Sequence, residues 1–121
     1  MTVLRIVANI STSKVSEVRD FYEKLFGMTV AMDHGWLITL ISGQRAETQI
    51  SIAEEGGSGT PVPDFSIEVS NVDEVFEQAI KMGIPVTYNL TDEPWGVRRF
   101  YVRDPAGKRV NILEHKQSRS P

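Results

Sequence analysis

Residues 91–111 read TDEPWGVRRFYVRDPAGKRVN, and their reading decides the fold. Two strand-like segments, 97–103 and 108–114, flank Asp104-Pro105-Ala106-Gly107. Proline presets φ at the second position of a turn, and glycine takes the φ > 0 position that closes it. The stretch therefore predicts a β-hairpin, reached through an aromatic corner at Pro94-Trp95-Gly96. It carries Arg98, Arg99, Arg103 and Arg109 beside its large aromatics. Such a hairpin can wall a metal site, wall a ligand cleft, or simply fill a core.

Working upstream, 64–69 alternates, with Phe65, Ile67 and Val69 apolar and Asp64, Ser66 and Glu68 polar, which predicts a strand. Asn71 can N-cap a helix, with Glu74 three residues on as the acid of a capping box. Val72, Val75, Phe76, Ala79 and Ile80 form its apolar stripe, Gly83 ends it, and a strand follows at 85–89. The same grammar occurs once before. A strand at 2–10 leads to Ser11-Thr12-Ser13, whose hydroxyls can cap a helix carrying Val15, Val18, Tyr22, Leu25 and Phe26 at helical spacing. Gly27 stops that helix, and strands follow at 28–32, 36–41 and 48–53, with turns at Asp33-His34-Gly35 and Ser42-Gly43-Gln44. Val72-x-Glu74-Val75 repeats Val15-x-Glu17-Val18, so the chain reads as two copies of one β-α-β-β-β unit. The Gly- and Pro-rich 55–63 reads as the linker between module one (about 2–54) and module two (about 64–114). Residues 115–121 read as a flexible tail after a single domain of residues 1–114.

The 121 residues suffice for one domain with a real core. A net charge of −3 without a basic stripe argues against nucleic acid. No cysteine means no disulfide, thiolate metal site or cysteine nucleophile. No apolar run approaches the roughly 20 residues needed to span a bilayer. The N-terminus runs straight into a patterned strand, so no signal peptide is expected, and a cytoplasmic protein is.

Strand parity sorts the polar residues. If Ile6, Ala8 and Ile10 pack on a helix, Val7 and Asn9 point the other way. Gln49 and Ser51 oppose Ile50 and Ile52. Asp64, Ser66 and Glu68 oppose the apolar residues of their strand. Arg99, Tyr101 and Arg103 oppose Phe100 and Val102, while Arg109, Asn111 and Leu113 oppose Val110 and Ile112. One face thus collects Asn9, Gln49, Ser51, Asp64, Ser66, Glu68, Arg99, Tyr101 and Asn111. Such a face is either solvated sheet surface or the lining of a ligand site.

FYEKLFGM at 21–28, SIEVSNVDE at 66–74 and YVRDPAGKRVNI at 101–112, set in a duplicated βαβββ unit, resemble the vicinal oxygen chelate superfamily. That group includes glyoxalase I, bleomycin-resistance proteins and extradiol dioxygenases, and the resemblance covers about residues 3–114. It implies an α+β fold of two tandem βαβββ modules forming curved mixed sheets around a cleft, commonly completed in a homodimer. Its metal enzymes carry ligands on the first, fourth, fifth and eighth strands. Those positions fall here on Val7, Ser51 (or Gln49 with a two-residue slip), Asp64 and Asn111. Val7 has no donor and only Asp64 is anionic, so neither metal nor other cofactor is expected. His34 in a turn and His115 in the tail do not supply the missing ligands.

Two functions fit. The first is binding of a small organic molecule in a metal-free cleft, as bleomycin-resistance-type members do. Trp36, Trp95 and Tyr101 would stack on it, Arg98 or Arg99 would meet an anionic group, and Asn9, Ser51, Asp64 and Asn111 would hydrogen-bond. The arginines could instead pair with Asp64, Glu68 or Asp92, and Trp95 could merely seal the core edge. The second is a metal-independent isomerase or lyase, with Asp64 or Glu68 as general base at a raised pKa and Arg99 or Tyr101 stabilising an enolate. A divergent metal-dependent lyase or dioxygenase is a further alternative, and an interaction role using the polar face is the bland one.

Overall fold

In the computed structural model, which describes residues 1–42 and 49–116, the stretch 91–111 runs through two consecutive hairpins rather than one. The elements are β1 (Val3–Ser11), α1 (Val15–Phe26), β2 (Thr29–Asp33), β3 (Leu37–Ile41), β4 (Gln49–Ala53), β5 (Phe65–Val69), α2 (Val72–Lys81), β6 (Val86–Glu93), β7 (Val97–Arg103) and β8 (Arg109–His115). The fold is mixed α+β, two β-α-β-β-β modules as expected. Beyond Ser42, the turn expected at 42–44 lies outside the described residues, as do Thr48 and residues 117–121 of the expected tail. Among the described residues, no helix is long and apolar enough to cross a membrane. Chain contacts divide the protein into two compact units, Val7–Val62 and Met1–Ile6 with the chain from Pro63 onward.

In the first unit β4 pairs with β1 in parallel and with β3 antiparallel, and β3 pairs with β2. Helix α1 packs on β3 and β4. Val15, Ile38, Leu40 and Ile52 make its core, joined by Ile10, Val18, Tyr22, Met28 and Ile50. Because the helix sits over β3 and β4, β1 contributes only Ile10, and Ala8 stays exposed against expectation. The apolar stripe of α1 also ends early. Leu25 and Phe26 are exposed, and Phe21, Tyr22 and Phe26 pack on one another at ring separations of 5.1–6.3 Å. The expected hydroxyl cap is corrected as well. Lys14 occupies the N-cap with no side-chain bond, because Thr12 Oγ1 accepts from Lys14 N one step too early. The presumed linker folds on itself: Gly56 N donates to Thr60 O at 2.7 Å, and Thr60 Oγ1 donates to Gly57 O at 2.8 Å.

In the second unit β8 lies between β5, which it pairs in parallel, and β7, which in turn pairs antiparallel with β6. Val69, Val72, Ala79, Phe100, Val102 and Val110 form the core under α2, with Ile67, Val75, Phe76 and Ile112 around them. Phe65, expected inside, is exposed at the strand's first position, and Ile6, assigned to this unit, is 61% exposed rather than packed under a helix. Asn71 caps α2 as expected, its Oδ1 accepting from Glu74 N at 3.2 Å. The return half of the capping box is replaced: Glu74 pairs with the Met1 ammonium at 3.2 Å, and Glu114 accepts from Val72 N. At the β7–β8 turn, Asp104 Oδ1 accepts from Ala106 N and Lys108 N, both at 2.9 Å, and Gly107 takes φ 81°. The aromatic corner is itself a hairpin turn. Glu93 pairs with Val97, Gly96 N donates to Glu93 O at 3.2 Å, and Gly96 sits at φ 87°. β6 therefore runs to Glu93, four residues past the expected end, and β8 extends to His115, the first residue of the expected tail.

Candidate functional site

Successive residues of a strand point to opposite faces, so Arg98 and Arg99 must leave β7 on opposite sides. Phe100 and Val102 pack in the core beneath α2. Arg98 shares their side and reaches Asp73 in the first turn of α2 at 2.9 Å and Asp92 at 3.0 Å. This bidentate contact holds the Asp73 carboxyl below its ordinary pKa and raises that of Arg98. Arg98 thus braces the helix and does not join the polar face.

Arg99 and Tyr101 do join it. Arg99 is only 3% exposed, and its Nε donates to Glu93 Oε2 at 2.7 Å. Tyr88 Oη donates to the same oxygen at 2.8 Å, while Arg99 Nη1 donates to Tyr101 Oη at 3.2 Å. Three rings surround the guanidinium, with Cζ at 5.2 Å from the centroid of Tyr88 and 5.1 Å from those of Trp95 and Tyr101. The register explains the assembly: Tyr88 lies opposite Tyr101, Thr91 opposite Arg99 and Glu93 opposite Val97. Glu93 escapes a sequence reading that ends β6 at residue 89, and Tyr88, inside that strand, is not singled out by it. Carrying the ladder through 91–93 would have put Glu93 on the face of Arg99.

On the other side of β7, Tyr101 pairs with Asn111 in register, and Asn111 pairs with Ser66 of β5. Asn111 Nδ2 donates to Ser66 Oγ at 3.1 Å, but its buried Oδ1 has no hydrogen-bond partner among the described residues. A buried amide atom without a partner costs free energy on the order of 1–3 kcal/mol. A ligand group is one way to recover that loss.

The carboxylates proposed as bases are otherwise engaged. Asp64 is exposed ahead of β5, and its Oδ2 accepts from Arg109 N at 2.8 Å. Glu68 lies between Arg5 and His115, the latter at 2.9 Å. Burial pushes the Glu68 carboxyl upward, but the hydrogen bond with His115 and the charge of Arg5 outweigh it and leave the pKa lowered. That is opposite to the raised value a general base at neutral pH would need.

In the first unit Asn9 pairs with Ser51 in register, and Ser51 Oγ shares a hydrogen bond with Thr39 Oγ1 at 2.8 Å. Thr39, unremarked in the sequence, closes this buried hydroxyl pair. Trp36 lies just before β3 and stacks on His34 at 5.9 Å, in the β2–β3 turn. A groove of about 440 Å³ runs beside the start of α1, lined by Lys14, Glu17, Arg19, Asp33 and Glu54 among others.

The metal positions implied by the resemblance do not fit a divalent ion. Val7 is a buried apolar residue, Ser51 is bonded to Thr39, Asp64 is tied to the backbone, and Asn111 offers a neutral amide. Among the described residues, no three His, Cys, Asp or Glu side chains gather in a way that could hold a metal.

The sequence matches the family model of the Glyoxalase/Bleomycin resistance protein/Dioxygenase superfamily over residues 4–112. No curated protein matches it. Among solved structures, it is similar to one described as an NAD-dependent benzaldehyde dehydrogenase from Legionella pneumophila, at 14% identity and TM-score 0.75, covering 93% of this chain and 100% of that one. A variant of Streptomyces coelicolor methylmalonyl-CoA epimerase in complex with 2-nitronate-propionyl-CoA matches at 13% identity and TM-score 0.71, covering 96% and 100%. A glyoxalase/bleomycin resistance protein/dioxygenase superfamily member from Vibrio splendidus 12B01 matches at 13% identity and TM-score 0.69, covering 94% and 99%. At these identities the likeness is one of fold.

Proposed function

The chain belongs to the glyoxalase/bleomycin resistance protein/dioxygenase superfamily, and from that premise we propose that it binds a small organic molecule without metal, on the polar face of its second module. The observation that carries this reading is the buried, unpartnered amide atom of Asn111 beside Tyr101. Trp95, half-buried over Arg99, is the aromatic ledge of the site. Binding is favoured over turnover because Asp64 and Glu68 are committed to partners and Glu68 is the more acidic for it. The proposed working form is a homodimer, in which a second copy would cover the exposed Phe21, Leu25 and Phe26 of α1.

The test is a thermal-shift screen of small aromatic and 2-oxo acids, amides and bleomycin-like glycopeptides on native protein and on Asn111→Leu. A ligand role predicts that Asn111→Leu loses the ligand's shift while the unliganded melting temperature changes little, since removing the unsatisfied atom offsets the lost bond to Ser66. A drop of several degrees in the unliganded variant would mark Asn111 as structural and sink the reading. Stoichiometric zinc, nickel or iron surviving dialysis would overturn the metal-free part.

A further inference from the structure

Resting on that binding reading, we propose that the site selects neutral planar amides over the corresponding carboxylates, with Glu93 as the residue that sets this specificity. An arginine on a ligand-binding face ordinarily suggests an anionic ligand. Here the guanidinium is already matched. Glu93 Oε2 takes the Arg99 Nε–H at 2.7 Å and the Tyr88 hydroxyl at 2.8 Å, and the two charged side chains are 4% and 2% exposed. Arg99 Nη1 is engaged by Tyr101, and three aromatic rings cover the guanidinium. A ligand carboxylate would meet a cation that has its counter-ion, and would bring a second negative charge against a desolvated Glu93. A ligand cation would meet the same obstacle from Arg99. A neutral ligand disturbs neither.

The polar atom left over at Asn111 narrows the class further. With Nδ2 on Ser66, Asn111 presents Oδ1 as an acceptor without a donor among the described residues. A primary carboxamide supplies an N–H donor to it, which a carboxylate lacks. A planar ring attached to it can stack on the half-exposed Trp95.

The experiment titrates ¹⁵N-labelled protein at neutral pH with two matched pairs, benzamide with benzoate and nicotinamide with nicotinate. The Trp95 indole N–H and the Asn111 side-chain amide are the resonances followed. Each amide should bind more than about tenfold tighter than its carboxylate, the order expected for a like-charge clash at a buried group. Glu93→Gln, which unmatches Arg99, should reverse the preference, and Glu93→Asp, which keeps the charge, should preserve it. The native measurement decides the matter even if Glu93→Gln fails to fold. Carboxylates binding natively as well as amides would overturn the neutral-ligand assignment while leaving the binding reading standing. If no probe moves either resonance, the binding reading falls, and this inference with it.

Discussion

The two modules share an element order and use their second sheet faces differently. In the first, the buried polar pair is Thr39 with Ser51, two short hydroxyls that satisfy each other at 2.8 Å. In the second, the corresponding face holds a buried ion pair, a ring of aromatics and an amide with one atom unpartnered. A self-satisfied pair needs nothing further, whereas an unsatisfied buried group calls for a water, an ion or a ligand to complete it. The difference is what favours module two for the binding site proposed above. The helices differ in the same sense. Asn71 and Glu114 both bond the first turn of α2, while α1 starts at Lys14 without a side-chain cap and leaves its last turn in solvent.

The largest expected effect tests whether the second module is also the better packed. Phe100 is fully buried and meets Phe76 edge-to-face at 5.0 Å. Phe100→Ala should cost about 3–5 kcal/mol, measured by urea unfolding. Leu40, fully buried in the first module's core, belongs to a cluster with Val15, Ile38 and Ile52, against which Tyr22 and Met28 pack. Leu40→Ala should fall nearer 2–4 kcal/mol, within the usual range for such truncations. If Leu40→Ala proves the more damaging, the ranking of the two cores is wrong.

A smaller effect sharpens the contrast between the helices. Asn71→Ala removes the bond to Glu74 N and should cost about 1 kcal/mol. Lys14→Ala, at a position with no capping bond to lose, should change stability by less than about 0.5 kcal/mol. Comparable losses at the two sites would mean that Lys14 does something for α1 that its hydrogen bonds do not reveal.

How much of this could be read from the sequence depended on how local the determinant was. The Asp-Pro-Ala-Gly turn, the Asn71 cap and the alternation of β7 and β8 are set by neighbouring residues, and they emerged in place. The parity that puts Arg99, Tyr101 and Asn111 on one face followed from that alternation. What lay hidden depended on partners far along the chain. Pro94-Trp95-Gly96 looked like a corner that ends regular structure, so Glu93 was not recognised as a strand residue opposite Val97. The exposure of Leu25 and Phe26 depends on where α1 sits over its sheet, which helical spacing does not specify. The shared pairing of Glu68 with Arg5 and His115 joins three strands with no sequence motif between them.

That last cluster supplies the smallest expected effect and a pH signature for the unit that joins Met1–Ile6 to the chain from Pro63 onward. The Glu68 side chain is 17% exposed, so its pairing is partly screened and is expected to contribute no more than about 1 kcal/mol. Its pKa in the folded protein lies below the ordinary 4.5, because the hydrogen bond with His115 and the charge of Arg5 together outweigh the upward push of burial. A carboxyl more acidic when folded than when unfolded stabilises the fold above the unfolded value, where it is ionised in both states. The contribution is therefore complete above about pH 4.5 and declines as pH falls through the lowered folded value. Urea midpoints followed from pH 7 to pH 3 should fall more steeply for the native protein than for Glu68→Gln, with the two curves converging at the acid end. Parallel curves would show that the contacts of Glu68 with Arg5 and His115 carry no net free energy, and that the acid response of that unit arises at other carboxylates.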